Sequence, residues 1–241
     1  MRTLFLALGV KGDLIIKKRG VKLVFVKKIQ IRFNNEFGYF CGMVFGDGWL
    51  YHNKKSNNYN ITMESGRKKQ ADNFKHSIQK CFPELNVWES FRRKKRTFEG
   101  VGKIYNNRTY LVGTNSLKLY RYLRQFKLLN ARWVIPSCFY TNKNVARGFI
   151  DGIIESEGSF HKDIRYEMGY SRIHVICKYK LSLWQLKRLL KKTLDIHSII
   201  NKRKDGAYVL DINRKKDILK VINHCPRCLS KVKIREVSQC A

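Results

Sequence analysis

Two acidic residues stand in matching sequence contexts, one in each half of the chain. Asp47 lies in the stretch FCGMVFGDG at residues 40–48, and Glu157 lies in IDGIIESEG at residues 150–158. In both stretches a glycine lies five residues before the acid, a small residue directly precedes it and a glycine follows it. Two carboxylates brought together beside phosphate oxygens make a good Mg²⁺ site, and such a metal assists phosphodiester cleavage. The repeated pattern therefore predicts a two-fold nuclease site.

Each acid follows a segment with small residues at four-residue spacing, which places them on one face of a helix. These small residues are Gly42 and Gly46 in the first segment and Gly152 and Ser156 in the second. Small residues at this spacing allow two helix backbones to approach closely. Paired side by side, the two helices would bring Asp47 and Glu157 to neighbouring ends. Gly48 and Gly158 are expected in the left-handed conformation that terminates many helices.

A carboxylate at the C-terminal end of a helix is electrostatically unfavourable, by several tenths of a kcal/mol, and two adjacent carboxylates also repel each other. A sequence selected for stability alone would avoid this arrangement. A bound divalent cation reverses the sign of both effects, which favours a metal site. The alternative is a structural pairing of duplicated helices without catalysis.

The composition indicates a polyanionic partner. The 241 residues include 50 Lys and Arg against 18 Asp and Glu, a formal net charge of +32. A globular chain this basic most often binds nucleic acid. No apolar run approaches the roughly 20 residues needed to span a membrane, and no secretory signal is recognised. We therefore expect an intracellular protein without membrane contact; cytoplasm, nucleoid or organelle is not specified.

Beyond residue 34 the apolar periodicity predicts the same order of elements twice. We expect an α+β fold of two pseudo-symmetric αββαββα halves, each opening with a motif helix. The predicted divisions are a basic β-rich extension at 1–33, a first half at 34–128, a linker at 129–143, a second half at 144–224 and a C-terminal tail at 225–241. The extension is either an additional sheet edge or a basic arm on DNA.

Seven cysteines, an odd number scattered along the chain, fit reduced thiols better than a disulfide framework. Cys225 and Cys228 form a single CxxC pair, and Cys240 lies close behind. Three such thiols could contribute to a zinc site, which uses four ligands. Without a second CxxC pair, a terminal turn with buried thiols is the favoured interpretation.

The two motifs make the chain similar to the two-motif LAGLIDADG homing endonucleases, over roughly residues 35–224. This resemblance implies motif helices packed at a pseudo-two-fold axis and two antiparallel sheets that form a saddle on DNA. It also implies a monomer that hydrolyses both strands of a long asymmetric duplex and leaves short 3′ overhangs. Mg²⁺ is the expected metal; Mn²⁺ would substitute, and Ca²⁺ would bind without efficient cleavage. Phe45 departs from the usual motif, whereas Glu155 retains the acid usual at that position.

The resemblance assigns residues to the site and to the DNA surface. The metal would be held at Gly46, Asp47, Ser156 and Glu157. Lys118 and Lys216, near the start of each half's last helix, match the family's basic catalytic residues and would stabilise developing charge. Basic runs on predicted hairpins and strand ends would contact DNA phosphates: Arg67, Lys68, Lys69, Arg92, Arg93, Lys94, Lys95, Arg96, Lys178, Lys202, Arg203 and Lys204. Tyr51, Tyr59 and Trp88 are either core or groove-facing.

Two other functions use the same scaffold. An RNA-splicing maturase would bind intron RNA through the basic surface without using the acids. A DNA-binding regulator would keep the surface and dispense with cleavage. The presence of both acids argues against the regulator, because carboxylates facing phosphate weaken binding unless they hold a metal.

Overall fold

The computed structural model describes residues 31–97, 104–127, 132–162 and 170–228; residues 93–97, 104–107, 162 and 170 are described by their backbone alone. The predicted N-terminal extension and C-terminal tail therefore lie almost entirely outside the described residues. None of the helices in these ranges is both long and apolar enough to cross a membrane.

The first half is a four-stranded antiparallel sheet with helices on one face. Its elements are α1 Asn35–Phe45, β1 Gly48–Asn53, β2 Asn58–Ser65, α2 Lys68–Cys81, β3 Val87–Thr97, β4 Ile104–Asn115 and α3 Leu117–Arg124. The strands lie in the order β1-β2-β4-β3.

The second half repeats this arrangement. Its elements are α4 Lys143–Glu157, β5 Gly158–Lys162, β6 Tyr170–Cys177, α5 Lys180–Leu194, β7 Ile199–Lys202, β8 Tyr208–Ile212 and α6 Lys215–His224. The strand order β5-β6-β8-β7 matches that of the first sheet. The predicted fold of two αββαββα halves is confirmed.

The two motif helices form the centre of the molecule because most of their surface is apolar. Both also begin at a capped end. The side chain of Asn34 accepts a hydrogen bond from Phe37 N, and that of Asn142 accepts from Val145 N, so both helices start at an asparagine cap. Every residue from Phe37 to Phe45 in α1 is buried. A helix buried all round belongs inside a core rather than on its surface.

The connector between the halves is part of this core. Trp133 is 2% exposed and Phe139 is fully buried. The Phe139 ring lies 5.4 Å from that of Phe149 in α4 and 6.2 Å from that of Phe37 in α1. The segment expected to be an aperiodic linker therefore packs against both motif helices and contains a short 3₁₀ turn at Ser137–Tyr140.

The hairpin of β3 and β4 is longer than the apolar pattern indicated. Arg92 to Arg96 lie within β3, which pairs with β4 from Val87↔Thr114 to Thr97↔Ile104. This basic run was expected in a hairpin connection. Because strands expose alternate residues, a run of charge is compatible with strand structure wherever the strand extends beyond the core.

Candidate active site at the paired ends of α1 and α4

The helices α1 and α4 pack at near-contact distance along matching glycines. A Cβ atom placed on Gly42 would lie 2.5 Å from Phe149 O, and one placed on Gly152 would lie 2.4 Å from Tyr39 O. The two glycine Cα atoms face each other across the interface. Backbone occupies the space that any larger side chain would need, so the predicted close pairing of the motif helices occurs.

The row of closely packed glycines extends one turn further towards the N-terminal ends of the two helices than the sequence indicated. Cβ atoms placed on Gly38 and Gly148 would lie 2.0 Å from Val145 O and 1.9 Å from Asn35 O. These contacts continue the same reciprocal pattern, so the helices remain in contact over nearly their whole length. The four-residue spacing from Gly42 and Gly152 was the signal that could have identified this pair.

At the C-terminal ends of α1 and α4, the same close packing brings the two acids near each other. A Cβ on Gly46 would lie 2.0 Å from Ser156 Oγ and 3.1 Å from Glu157 Cγ, so Glu157 lies beside the residue that precedes Asp47. Asp47 is exposed and Glu157 is half-buried. The carboxylates therefore share the end of the helix pair and can be reached from solvent.

Gly48 and Gly158 do not have the left-handed conformation expected of them. Gly158 is extended, with φ −73° and ψ 145°, and Gly206 is the positive-φ glycine of the described chain. Both glycines are instead required by space: Cβ atoms placed on them would lie 2.6 Å from Val44 Cα and 2.4 Å from Ile154 O. The helix α4 passes directly into β5, and α1 reaches β1 through Gly46 and Asp47, so in both halves the chain folds back on the last turn of the helix.

Asp47 is oriented by a glutamine from the first half. Gln70 Nε2 donates to Asp47 Oδ2 at 3.2 Å and to the carbonyl of Glu155 at 3.3 Å. The Gln70 Oε1 atom accepts from Arg67 Nη2 at 2.7 Å and from Ser65 Oγ at 2.6 Å. Two donors on the oxygen fix the amide so that its NH₂ group faces the acids.

Arg67 was expected on the DNA surface, and the structure places it in this network. Its guanidinium donates to Gln70 and, at 3.1 Å, to the carbonyl of Glu155 at the end of α4. A cation at the C-terminal end of a helix is favourable. Arg67 and Gln70 both lie at the start of α2. The chain leaves the acids along β1 and returns along β2, so α2 begins close to the acids.

A buried lysine, Lys127, lies at the end of α1, close enough to both acids to interact with their charges. It is 8% exposed, and its ammonium donates to the carbonyl oxygens of Val44 and Gly48 at 2.5 Å and of Phe45 at 3.1 Å. It thereby satisfies carbonyls left unpaired at the end of α1. Burial lowers the pKa of Lys127 to about 8, against the attraction of Glu157 and Asp47. Sequence reasoning missed this residue because it follows α3 in a segment without periodicity.

Glu155, the acid that the second motif retains, is a fully buried structural group. Its carboxylate accepts from Tyr39 Oη at 2.5 Å and from Asn73 Nδ2 at 3.3 Å. Burial, together with the charge of Glu155, raises the pKa of Tyr39 well above its usual value. Phe45, at the matching position of the first motif, packs on Phe149 instead. The two halves thus use this position differently.

The arrangement fits a hard divalent cation. Among the described residues no group of three or more His, Cys, Asp or Glu side chains could hold a metal by itself. Asp47 and Glu157 provide two carboxylates, and Mg²⁺ is commonly bound by one or two carboxylates with the remaining ligands from water and substrate phosphates. The donor set therefore suits a metal that is completed by nucleic acid.

Of the two lysines predicted at the start of the last helices, Lys118 lies on a helix that begins away from the acids. The Ser116 amide, just before α3, donates to Tyr59 O, and Tyr59 pairs with His52, four residues along β1 from Gly48. That spacing corresponds to roughly 13 Å along a strand. Lys118 is half-buried in the first turn of α3, and Lys216 is exposed in the first turn of α6. The last helix of the first half thus begins far from the acids, and the chain returns to them at Lys127.

Lys178, which was expected to contact DNA, lies towards the end of the second sheet that carries Glu157. It directly follows β6, whose Val175 pairs with Gly158, and the charge of Glu157 raises the pKa of the neighbouring Cys177 in addition to burial. Lys178 is exposed. It is the pseudo-symmetric counterpart of the residue before Arg67.

The remaining residues expected to contact DNA lie on the surface wherever their side chains are described. The exposed ones are Lys68, Lys69, Arg92, Lys202, Arg203 and Lys204. Lys68 pairs with Asp72 at 2.8 Å, and Arg203 pairs with Asp205 at 3.1 Å. The side chains of Arg93, Lys94, Lys95 and Arg96 lie outside the described residues.

The open face of the first sheet carries aromatic residues. Trp49 and Tyr51 on β1 are 37% and 54% exposed. Trp88 lies over Gly113 on the same face, because a Cβ on Gly113 would meet its ring at 2.5 Å. Tyr59 instead stacks on His52 and packs on Tyr120 of α3, on the helix side. Tyr51 and Trp88 thus lie on the open face of the sheet, and Tyr59 lies on its helix side.

The open face of the second sheet carries a polar network. His174 Nε2 lies 2.7 Å from Asp211 Oδ1, and Asn201 Nδ2 donates to Asp211 Oδ2 at 3.0 Å. The His161 ring lies 4.0 Å from that of His174. Partial burial lowers the pKa of His174, against the attraction of Asp211. The two open faces therefore have different chemistry.

The CxxC segment follows α6 as a buried turn. Cys225 and Cys228 are both fully buried, and Cys228 Sγ donates to the carbonyl of Cys225 at 2.8 Å. Burial raises the pKa of Cys225 well above its usual value. Cys240 lies outside the described residues, so its part in a metal site stays untested.

Comparison with known proteins identifies the motif helices and their sheets. A family model described as a LAGLIDADG-like domain matches residues 144–226. Among solved structures, I-DmoI in complex with DNA and Mn is similar to this chain with a TM-score of 0.54 and 21% identity, covering 80% of this chain and 98% of that chain. The homing endonuclease I-WcaI bound to its DNA recognition sequence gives a TM-score of 0.62 at 13% identity, covering 84% and 88%.

The LAGLIDADG family model matches the second half alone. The similarity of the first half to this fold is shown by the solved structures, which cover both halves. The chain as a whole has the two-motif LAGLIDADG fold, which confirms the resemblance to that family. A curated relative, an uncharacterized protein of Methanocaldococcus jannaschii, is 26% identical over 210 residues, or 80% of this chain. The chain spans 66% of the length of that relative.

Proposed function

We propose that this LAGLIDADG protein is a divalent-metal-dependent homing endonuclease that cuts both strands of a long asymmetric DNA target and leaves short 3′ overhangs. The observation that carries the proposal is the juxtaposition of Asp47 and Glu157 at the shared end of α1 and α4. Further support comes from the net charge of +32 and from the two open sheets on either side of the acids. Both motifs lie on one chain, so a monomer contains a complete site.

The metal would be held by Asp47 and Glu157, beside the backbone at Gly46 and Ser156. When bound there, Mg²⁺ would supply activation of water and charge neutralisation at the leaving oxygen. Related structures support this choice, because complexes of I-DmoI with its target DNA contain Mn, Mg or Ca. The fold likeness supports duplex DNA as partner, since I-WcaI was solved on its recognition sequence.

The protein's own groups would orient the reaction. Gln70 holds the Asp47 carboxylate in place, and Lys127 stabilises the end of α1 that carries it. Arg67 and Lys178 occupy matching ends of β2 and β6 and would neutralise the scissile phosphates from opposite sides. The aromatic face of the first sheet and the polar face of the second would contact different half-sites.

The experiment is selection of cleaved sequences from a randomised duplex library with Mg²⁺, with Ca²⁺ replacing it in a parallel reaction. On the selected target, Asp47→Asn and Glu157→Gln should each reduce the cleavage rate at least about 100-fold, because each removes a charge that holds the metal. Binding of the target, measured by fluorescence anisotropy in Ca²⁺, should change little.

Asp195→Asn is the matched control, since this exposed aspartate follows α5 and pairs with Lys191 and Lys220. It should cut like the unmodified protein. Unchanged cleavage by both acid variants would refute the assignment of the site. Tight binding of the target by the unmodified protein without cutting in any divalent metal would instead favour the DNA-binding regulator.

A further inference from the structure

The outward face of α5 carries an exposed aromatic group inside a basic surface, on the opposite side of the second half from its open sheet. Trp184 is 47% exposed, and the Arg188 guanidinium lies 4.8 Å from the centre of its ring. The same guanidinium lies 5.8 Å from the ring of Tyr140 in the connector. These groups line a hollow of about 410 Å³, together with Lys187, Lys191 and Lys192.

This face has an excess of positive charge. The helix from Lys180 to Leu194 contains five basic residues and no acidic one. The nearest described carboxylate is Asp195, which follows the helix and pairs with Lys191 and Lys220. Lys187, Arg188 and Lys192 leave a net positive surface around Trp184.

The pseudo-symmetry of the molecule shows that the tryptophan is not required by the fold. When α2 and α5 are aligned at their first residues, their buried positions coincide along most of the two helices. In this alignment Trp184 of α5 occupies the position of Asp72 in α2. Asp72 is exposed and pairs with Lys68. An ion pair on one half is therefore replaced on the other by an indole next to an arginine.

The hollow has the size of a site for a small planar group. A base can stack on an aromatic ring and an arginine only if its π-face is uncovered, which duplex DNA does not offer. RNA loops present such unpaired bases together with phosphates for neighbouring lysines. Apart from Leu181 and Trp184, the large apolar residues of α5 are buried in the core, which leaves little apolar surface for insertion into a lipid surface.

We propose that the outward face of α5 binds single-stranded RNA, with an unpaired base stacked at Trp184 beside Arg188 and Tyr140 and phosphates on Lys187 and Lys192. This surface is separate from the sheets that would carry DNA. The protein would therefore bind two nucleic acids at once, one on each side of the second half.

The test uses the full chain and a fluorescein-labelled uridine 20-mer, with binding followed by anisotropy. Trp184→Ala should weaken binding about tenfold, from the loss of one stacked base. Leu181→Ala is the matched control, because Leu181 is 42% exposed on the same helix outside the hollow. Its affinity for the RNA should be unchanged.

A second pair of variants tests the charge. Lys192→Gln should weaken RNA binding, whereas Lys80→Gln, the same change at the matching position of α2, should not. Equal RNA affinity of Trp184→Ala and Leu181→Ala would overturn the proposal. The proposal would also be overturned if a thymidine 20-mer, an acidic peptide or anionic vesicles bound more tightly than the uridine 20-mer and this binding depended on Trp184. Duplex cleavage by Trp184→Ala, expected to be normal, reports on the endonuclease separately.

Discussion

Asp47 and Glu157 are held in place by different neighbours. The Gln70 amide orients Asp47, whereas the matching position of the second half is Ser182, whose hydroxyl donates to Trp133 O at 2.7 Å and anchors the connector. Glu157 instead lies near Cys177, whose pKa is raised by burial and by the charge of Glu157. The two carboxylates therefore have unequal surroundings, which would suit the asymmetric target of the proposed endonuclease.

Asp151, one turn before Glu155 in the second motif, offers a residue-scale prediction. It is 3% exposed and accepts hydrogen bonds from the amides of Cys228 at 3.0 Å and Arg227 at 3.4 Å. Burial, against these hydrogen bonds, raises its pKa from 3.8 to about 7. The folded protein therefore binds a proton more tightly than the unfolded chain, so the contribution of Asp151 to stability is lost as pH rises.

Asp151→Asn should remove this pH dependence. Relative to the variant, the unmodified protein should lose up to about 4 kcal/mol of unfolding free energy between pH 4 and pH 8. Urea unfolding of both proteins across this range measures the difference. Parallel stability profiles would show that the carboxyl group stays ionised in the fold and that its pKa is not raised.

At the level of elements, the close pairing of α1 and α4 fixes the separation of the acids. Substitutions that force the helices apart should therefore affect stability and cleavage together. Glycine at these positions is required by the neighbouring backbone rather than by a special dihedral angle, since both positions lie within regular helices.

Gly42→Ala and Gly152→Ala should each lower the unfolding free energy by about 2 kcal/mol or more, because the added methyl group would meet backbone at 2.5 or 2.4 Å. Gly66→Ala is the matched control, since its nearest contact would be Arg108 O at 3.8 Å. It should change stability by less than about 0.5 kcal/mol. Equal effects at all three positions would show that the helix interface is not tightly packed.

At the scale of the whole molecule, the repeat made the fold predictable. Three features of the sequence indicated the same αββαββα halves: the repetition of one pattern, the spacing of the glycines and the alternation of the strands. The sequence also identified Asp47 and Glu157 and the pairing of their helices, because both depend on local spacing. The length of β3 and β4 was missed, since a strand that extends beyond the core carries no apolar alternation.

The partners of the acids were harder to predict because tertiary structure brings them together. Gln70 and Arg67 reach Asp47 only because β1 and β2 form a hairpin of fixed register. Lys127 reaches α1 from a segment without periodicity, and the resemblance pointed to the opposite end of α3. With 50 basic residues in the chain, composition could not distinguish it from the others.

The position of the metal tests the central claim most directly. Crystals of the protein with its selected target duplex and Mn²⁺ would give an anomalous difference map that locates the ion without reference to activity. The account predicts a peak within about 2.5 Å of a carboxylate oxygen of Asp47 and of Glu157, beside a DNA phosphate. Strong Mn²⁺ peaks elsewhere on the complex, with none in contact with either acid, would contradict it.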